Sequence, residues 1–290
     1  MKALIFGING QDGYYIKEIC REKKIDVIGI SRSSEKWIKG DVGNFHFVEN
    51  LVKTNKPEYI FHLAANSTTN HDVIFENHKT ISTGTINILE AVKRHNPVSK
   101  VFITGSGLQF ENKGLPIKET DNFIANNPYS LARIHSVYAA RYFRSLGIHA
   151  YIGYLFHHES PFRKAHHISQ KIAIAARKVA EGKNEKIELG DISVEKEWTF
   201  AGDIAKAIFT LMEQEDVFEA TIGSGIAYSI ENWIEMCFRI IGKDWKDYII
   251  LRQGFIPEYK LLVSNPRTIN SLGWYPVVEF NELAEIMMKN

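Results

Sequence analysis

The run Ala3-Leu4-Ile5-Phe6 passes directly into Gly7-Ile8-Asn9-Gly10-Gln11-Asp12-Gly13, and a helical pattern follows from Tyr14 to Arg21. This order constrains the fold more than the glycines themselves do. Glycines here permit a tight turn and let a pyrophosphate lie against bare backbone, while a helix N-terminus offers free N–H groups and a positive dipole end. Strand, turn and helix together predict a dinucleotide-binding βα unit, with Gly7, Gly10, Gln11, Asp12 and Gly13 against the cofactor.

The alternation continues down the chain. Strand-like runs at Asp26–Ile30, Tyr59–Leu63, Lys100–Thr104 and Ala150–Tyr154 are separated by helical patterns at about Phe47–Asn55, Lys79–His95 and from Pro128 onward. The predicted fold class is α/β: a Rossmann-type doubly wound parallel sheet that takes ligands at the C-terminal ends of its strands. Shorter pieces follow: helices at about Ile168–Ala180, Asp203–Met212 and Ile230–Ile241, and a strand near Ile187. They suit a smaller C-terminal substrate-binding lobe. The expected division is a cofactor-binding domain over 1–160 and, over 161–290, mainly the lobe, with later segments returning to the first domain.

Composition narrows the class of partner. The 290 residues carry a net charge of +1, so no nucleic-acid or other polyanion surface is expected. Cys20 and Cys237 lack CxxC spacing and read as buried thiols, not as a disulfide or metal site. No apolar run reaches membrane-spanning length, and Met1 leads straight into a core strand. A cytoplasmic protein with no membrane partner is the expectation. The pairs His157-His158 and His166-His167 suggest no metal, because neighbours on an extended piece point opposite ways. Arg163-Lys164 reads as part of a solvated loop.

Two positions bear on the dinucleotide. In Ser31-Arg32-Ser33-Ser34 an arginine follows the second strand, where a site for NAD usually has an acidic residue; an arginine there suits a 2′-phosphate and argues for NADP (NADPH). Asp41 is placed to accept from the adenine amino group, or else serves as a turn residue. Ala64, past the third strand, joins the cofactor-binding set.

Chemistry-bearing residues follow the same geometry. Tyr129 and Arg133 lie four apart on the helix opened by Asn127-Pro128, hence on one face. Ser106 follows a strand and reaches the sheet's C-terminal edge. A tyrosine exchanges a proton at a carbinol carbon when a nearby cation lowers its phenol pKa from the free value of about 10. A serine hydroxyl can polarise the same oxygen. Ser106, Tyr129 and Arg133 are therefore the candidate catalytic set for hydride exchange at a sugar carbonyl, Tyr129 and Arg133 also touching the cofactor.

The chain resembles the extended short-chain dehydrogenases/reductases, whose opening glycine spacing it shares, and within them the GDP-mannose 4,6-dehydratases. Gly7 to Tyr15 resembles that family's GITGQDGSYL, and Leu155 to Pro161 resembles LFNHESP. Leu189-Gly190-Asp191 with Glu197 to Asp203 resembles LGN…RDWGFAxDY, and Leu272-Gly273-Trp274 resembles a closing LGW. The resemblance implies NADP, a nucleotide-diphosphate sugar under a C-terminal lobe, and a homodimer or homotetramer paired through the helices near Lys79–His95 and Pro128–Phe143. It also implies substrate-binding residues: His157 (for Asn), Glu159, Lys171, Lys196 (for Arg), Glu258, and Arg252 in place of an arginine whose position Phe255 takes.

Two departures touch the chemistry. The family's catalytic lysine is Arg133, which keeps the charge but is planar and bulkier. Its TSELY segment is Ser106-Gly107-Leu108-Gln109-Phe110, so a glutamate has become Leu108. Elimination across C5 and C6 of the sugar needs a proton-transferring group that leucine lacks, whereas hydride transfer at C4 does not. The leading expectation is thus an NADPH-dependent reductase of a nucleotide-diphospho keto-deoxy sugar, GDP-linked on the pattern that the resemblance implies. A 4,6-dehydratase, an epimerase and a non-catalytic nucleotide-sugar binder are the alternatives.

Overall fold

The computed structural model describes residues 1–33, 36–183 and 185–289. Ser34, one of the hydroxyls beside Arg32, lies outside the described residues. The chain opens with β1 (Lys2–Phe6), α1 (Gln11–Glu22), β2 (Asp26–Ser31), β3 (Ile38–Lys39) and α2 (Phe45–Asn55). Then come β4 (Tyr59–His62), α3 (Ile74–Asn77), a π-helical turn over His78–Thr83, α4 (Gly84–His95) and β5 (Lys100–Ser106). Next are α5 (Pro128–Ser145), β6 (Ala150–Leu155), β7 (His158–Glu159), α6 (Ile168–Ala180), β8 (Ile187–Leu189), β9 (Glu195–Glu197) and β10 (Thr199–Phe200). The last stretch carries α7 (Ala201–Met212), β11 (Glu219–Ile222), β12 (Ala227–Ser229), α8 (Ile230–Ile240), β13 (Ile249–Leu251), β14 (Leu261–Leu262), α9 (Arg267–Ser271) and α10 (Phe280–Met288).

Seven strands form one parallel sheet in the order β11-β6-β5-β4-β1-β2-β3. Its central strands are apolar on both faces because helices cover both, as a parallel sheet requires. One face packs Leu4, Phe6 and Ile103 against Val48, Ile88, Val92, Val137 and Ala140 of α2, α4 and α5. The other packs Ala3, Ile5 and Phe102 against Ile16 of α1 and Ile204, Ile208 and Leu211 of α7. A third cluster joins α6, α8 and α10 around the stacked rings of Trp198 and Trp233, 4.7 Å apart, beside small sheets made by β8, β9 and β12–β14. Among the described residues no helix is long and apolar enough to cross a membrane.

Three differences from the sequence reading have physical causes. The helix Ala201–Met212, expected in the lobe, covers the large sheet instead, and β11 extends that sheet on β6. Its ten buried residues explain this: a helix apolar over most of its circumference fits under a sheet and an adjoining helix. The single helix expected at Lys79–His95 begins at Ile74 and is interrupted by the π turn. Where α4 begins, the helix runs close to β4 and the segment before α2: a Cβ on Gly84 would stand 2.9 Å from Val42 and 3.1 Å from His62. The strand expected to stop at Thr104 runs on to Ser106.

Candidate active site

The glycine turn is built as the dinucleotide reading requires. Gly7 has φ +94°, and a Cβ there would lie 2.8 Å from the Ala64 nitrogen. A Cβ on Gly13 would lie 2.6 Å from the Gly7 carbonyl oxygen, so only glycine lets α1 approach β1 this closely. Gly10 caps α1 with no side chain, which leaves the helix N-terminal N–H groups to a ligand. The residues present fit a dinucleotide pyrophosphate.

A cleft of about 400 Å³ opens beside this turn. Gly10, Gln11 and Asp12 line it from one side, Ser106, Leu108, Tyr129 and Arg133 from another, and His157, Arg163 and Lys196 from the floor. Asn127 caps α5 reciprocally with Ser130, and Pro128 occupies the first turn, which fixes where Tyr129 emerges. The Tyr129 hydroxyl makes no hydrogen bond to another described residue, and the Arg133 guanidinium stands 5.0 Å from its ring centre. Arg133 is buried, donates to the Thr104 carbonyl, and leaves its Nε without a partner. Ser106 Oγ accepts from the Leu108 amide at 3.2 Å, so its own hydrogen stays available to donate. Leu108 packs against the main core.

Positive charge dominates the floor. Glu159 is fully buried, 2.8 Å from His157 Nε2 and 3.5 Å from Arg163 Nε. Burial works to raise its pKa, but these neighbours outweigh that and hold it below the usual carboxylate range. His157 Nδ1 meets the Glu197 carbonyl at 2.8 Å. Lys196 lies over the Trp198 ring at 5.0 Å, and burial pushes its pKa down to about 8 against the pull of Glu159. His158 lines the same cleft but bonds different partners. Its Nε2 bonds Asp12 at 2.9 Å and its Nδ1 the Phe156 carbonyl at 2.7 Å, so both nitrogens are placed to donate. Burial disfavours its charge, yet Asp12 raises its pKa overall. Gln11 completes this tie by donating to the His158 carbonyl and accepting from Ser160. The glycine turn is thus bolted to the strand that carries the floor.

Several expected residues lie elsewhere. Arg32 forms an ion pair with Glu76 at 2.9 Å, and Asp41 pairs with Lys79 at 2.6 Å while accepting from the Gly43 amide. Lys171 donates to the Glu188 carbonyl and Arg252 pairs with the Glu188 carboxylate at 3.1 Å; neither lines the cleft. Glu258 accepts from Asn127 at 2.8 Å and is likewise outside it, its neighbour Tyr259 forming the wall instead. Glu159 acts from beneath the floor. Conversely, Arg163 and Lys164 face the cleft and not merely solvent, as do His158 and His167. The signal missed was their position just after the segment resembling LFNHESP, which the fold places at a strand end. Among the described residues no group of three or more His, Cys, Asp or Glu is arranged to hold a metal.

The doubly wound sheet, the side-chain-free helix start and the Ser106, Tyr129 and Arg133 wall together define an extended short-chain dehydrogenase/reductase, an NAD(P)-dependent enzyme class. More specifically, the chain belongs to the GDP-mannose 4,6 dehydratase family, which it matches over residues 4–287. It is 28% identical to GDP-mannose 4,6 dehydratase 1 of Arabidopsis thaliana, covering 99% of this chain and 88% of that one. Its fold is shared with dTDP-glucose 4,6-dehydratase from Bacillus anthracis, solved in complex with NAD (TM-score 0.87, 19% identity, 100% and 96% of the two chains). RMD from Pseudomonas aeruginosa, solved with NADPH, is equally similar in fold (TM-score 0.87, 17% identity, 99% and 97%).

Proposed function

We propose that this protein exchanges hydride between an NAD(P) cofactor and C4 of a nucleoside-diphosphate hexose, GDP-linked by its family membership, with 4,6-dehydration as the overall reaction. The observation that carries the reading is one cleft walled by the glycine turn, by Ser106, Tyr129 and Arg133, and by a basic floor. When bound, the nicotinamide would supply the acceptor for the C4 hydride and, once water is lost across C5 and C6, the donor of that hydride to C6. Tyr129 Oη takes or returns the proton of the C4 oxygen, and Ser106 Oγ donates to that oxygen. Arg133 orients the tyrosine and offers its unpartnered Nε–H to the cofactor's ribose. Arg163 and Lys164 supply charge for the sugar nucleotide's diphosphate.

Reduction without elimination is the second reading, and Leu108 favours it. Among the described residues lining the cleft, Asp12 is the only carboxylate, and it is engaged with His158. Under dehydration the C5 proton must therefore pass to another wall residue, and Lys196, with a pKa near 8, is the group tuned for it. Family membership supports dehydration over the reductase expected from Leu108 alone, which becomes the second reading.

A paired assay separates the two. NADP⁺ with GDP-mannose, followed by mass, yields a product lighter by one water under the first reading. NADPH with a GDP-4-keto-6-deoxy sugar, followed by loss of NADPH absorbance, is consumed under the second. Silence in both arms from a protein that still binds the cofactor rejects both.

Oligomerisation belongs to the same proposal. Ile86 of α4 and Tyr138 and Tyr142 of α5 are exposed on the outer side of helices whose inner sides form the core, and Phe75 of the neighbouring α3 is exposed as well. They support pairing of two copies through these helices.

A further inference from the structure

Arg32 follows β2 at its C-terminal end, the place where a doubly wound sheet receives the adenosine ribose. An arginine waiting for a 2′-phosphate would be expected to stand free. Here its Nη1 is 2.9 Å from Glu76 Oε1, and the second Glu76 oxygen accepts from Asn66 at 3.4 Å. Asn66 leaves the end of β4 and Glu76 belongs to α3, so two separate segments hold this carboxylate over the arginine. Next to it stands the Lys79–Asp41 pair. Asp41's carboxyl is drawn below its ordinary pKa, against burial, chiefly by Lys79 and the Gly43 amide and further by Arg32, which puts both pairs in one field. Among the described residues, the Arg32–Glu76 and Lys79–Asp41 pairs therefore stand together past the C-terminal end of β2, beyond the residues that line the cleft, where a doubly wound sheet receives the adenosine ribose.

That arrangement discriminates. A 2′-phosphate needs the donors of Arg32 and must enter beside a carboxylate that already holds them. A ribose diol carries no charge, asks nothing of Arg32, and can donate to a carboxylate. Both side chains of the pair are partly solvent-exposed, so the competition is a matter of factors of a few and not an absolute block. We propose that Glu76 sets the balance between NADP and NAD by competing with the 2′-phosphate for Arg32, which gives this protein measurable affinity for both dinucleotides. The proposal rests on the reading that the cleft holds a nicotinamide dinucleotide.

The test is a binding titration of the whole protein with NADPH and with NADH, read by the nicotinamide fluorescence excited through the tryptophans. Replacing Glu76→Gln keeps the side chain's size and removes the charge, and is expected to raise the affinity ratio of NADPH over NADH by about fivefold, mostly through tighter NADPH binding. The double variant Glu76→Gln with Arg32→Gln loses that gain. A purely structural role for the pair would move both dinucleotides together. A ratio within twofold of the unaltered protein in both Glu76→Gln and Glu76→Ala overturns the proposal. Failure of the unaltered protein to bind either dinucleotide overturns the cofactor reading as well, an outcome plainly different from equal effects on two measurable affinities.

Discussion

Arg133 is the residue at which this chain parts most visibly from the family it resembles, and its surroundings show why the exchange is workable. The guanidinium is buried, donates to the Thr104 carbonyl and lies 5.0 Å from the Tyr129 ring centre. Each of these contacts uses the planar fork; a lysine would reproduce the charge but not the stacking. Arg133→Lys is therefore expected to retain turnover within about tenfold, whereas Tyr129→Phe removes the proton carrier and costs at least 100-fold in kcat. Steady-state kinetics on both variants check this. Equal, small losses would take the helix pair out of the chemistry. Ser106, Tyr129 and Arg133 were legible in the sequence because each sits at a strand end or on a helix turn, where spacing fixes position. Lys171, Arg252 and Glu258 were not, because resemblance in irregular chain does not fix direction: Lys171 and Arg252 turn to Glu188, and Glu258 turns to Asn127.

At the scale of elements, the π turn before α4 is the feature that periodicity could not reveal. An apolar pattern locates a helical face but is silent about one wider turn within it. That turn presents the Ile81 carbonyl to donors from outside the helix: Ser136 Oγ of α5 at 3.1 Å and His62 Nε2 of β4 at 3.3 Å, with Thr85 Oγ1 at 2.8 Å from α4 itself. His62 is fully buried, and burial together with Arg133 pushes its pKa down from 6.5 to about 4. The unfolded chain thus binds a proton on this residue between those values while the folded chain does not. His62 contributes stability fully present above pH 6.5 and lost progressively as the pH falls toward 4, on the order of 3 kcal/mol in all. Urea unfolding followed across that window is expected to show this slope, and His62→Gln to flatten it by about the same amount while lowering stability at pH 7. Parallel slopes for the two proteins would show that His62 is not what acid acts on.

For the whole molecule, the sequence showed the doubly wound half clearly because its alternation of buried strands and amphipathic helices repeats. It blurred the other half because the chain crosses between sheet and lobe: α7 and β11 return to the large sheet, and only the packing of Ile204, Ile208 and Ile222 against Ile5 and Phe102 reveals it. The same view bears on assembly. On α5, Val137 and Ala140 face the core while Tyr138 and Tyr142, one turn apart, face outward at 58% and 61% exposure. Phe75 is 87% exposed on α3, whose chain continues through the π turn into α4, packed beside α5. Large aromatic side chains left out on neighbouring helices are the kind of surface that a second copy covers, the same patch serving both partners of a two-fold pair. A charge placed within that patch would be buried without a partner on association, and by symmetry twice. Tyr142→Glu is therefore expected to shift the protein from dimer toward monomer in light scattering at micromolar concentration, with little change in its folded circular dichroism, because the side chain is mostly exposed and meets the core only at the edge of the Phe143 ring. A monomeric unaltered protein, or a dimer indifferent to the charge, would place any pairing surface on another face.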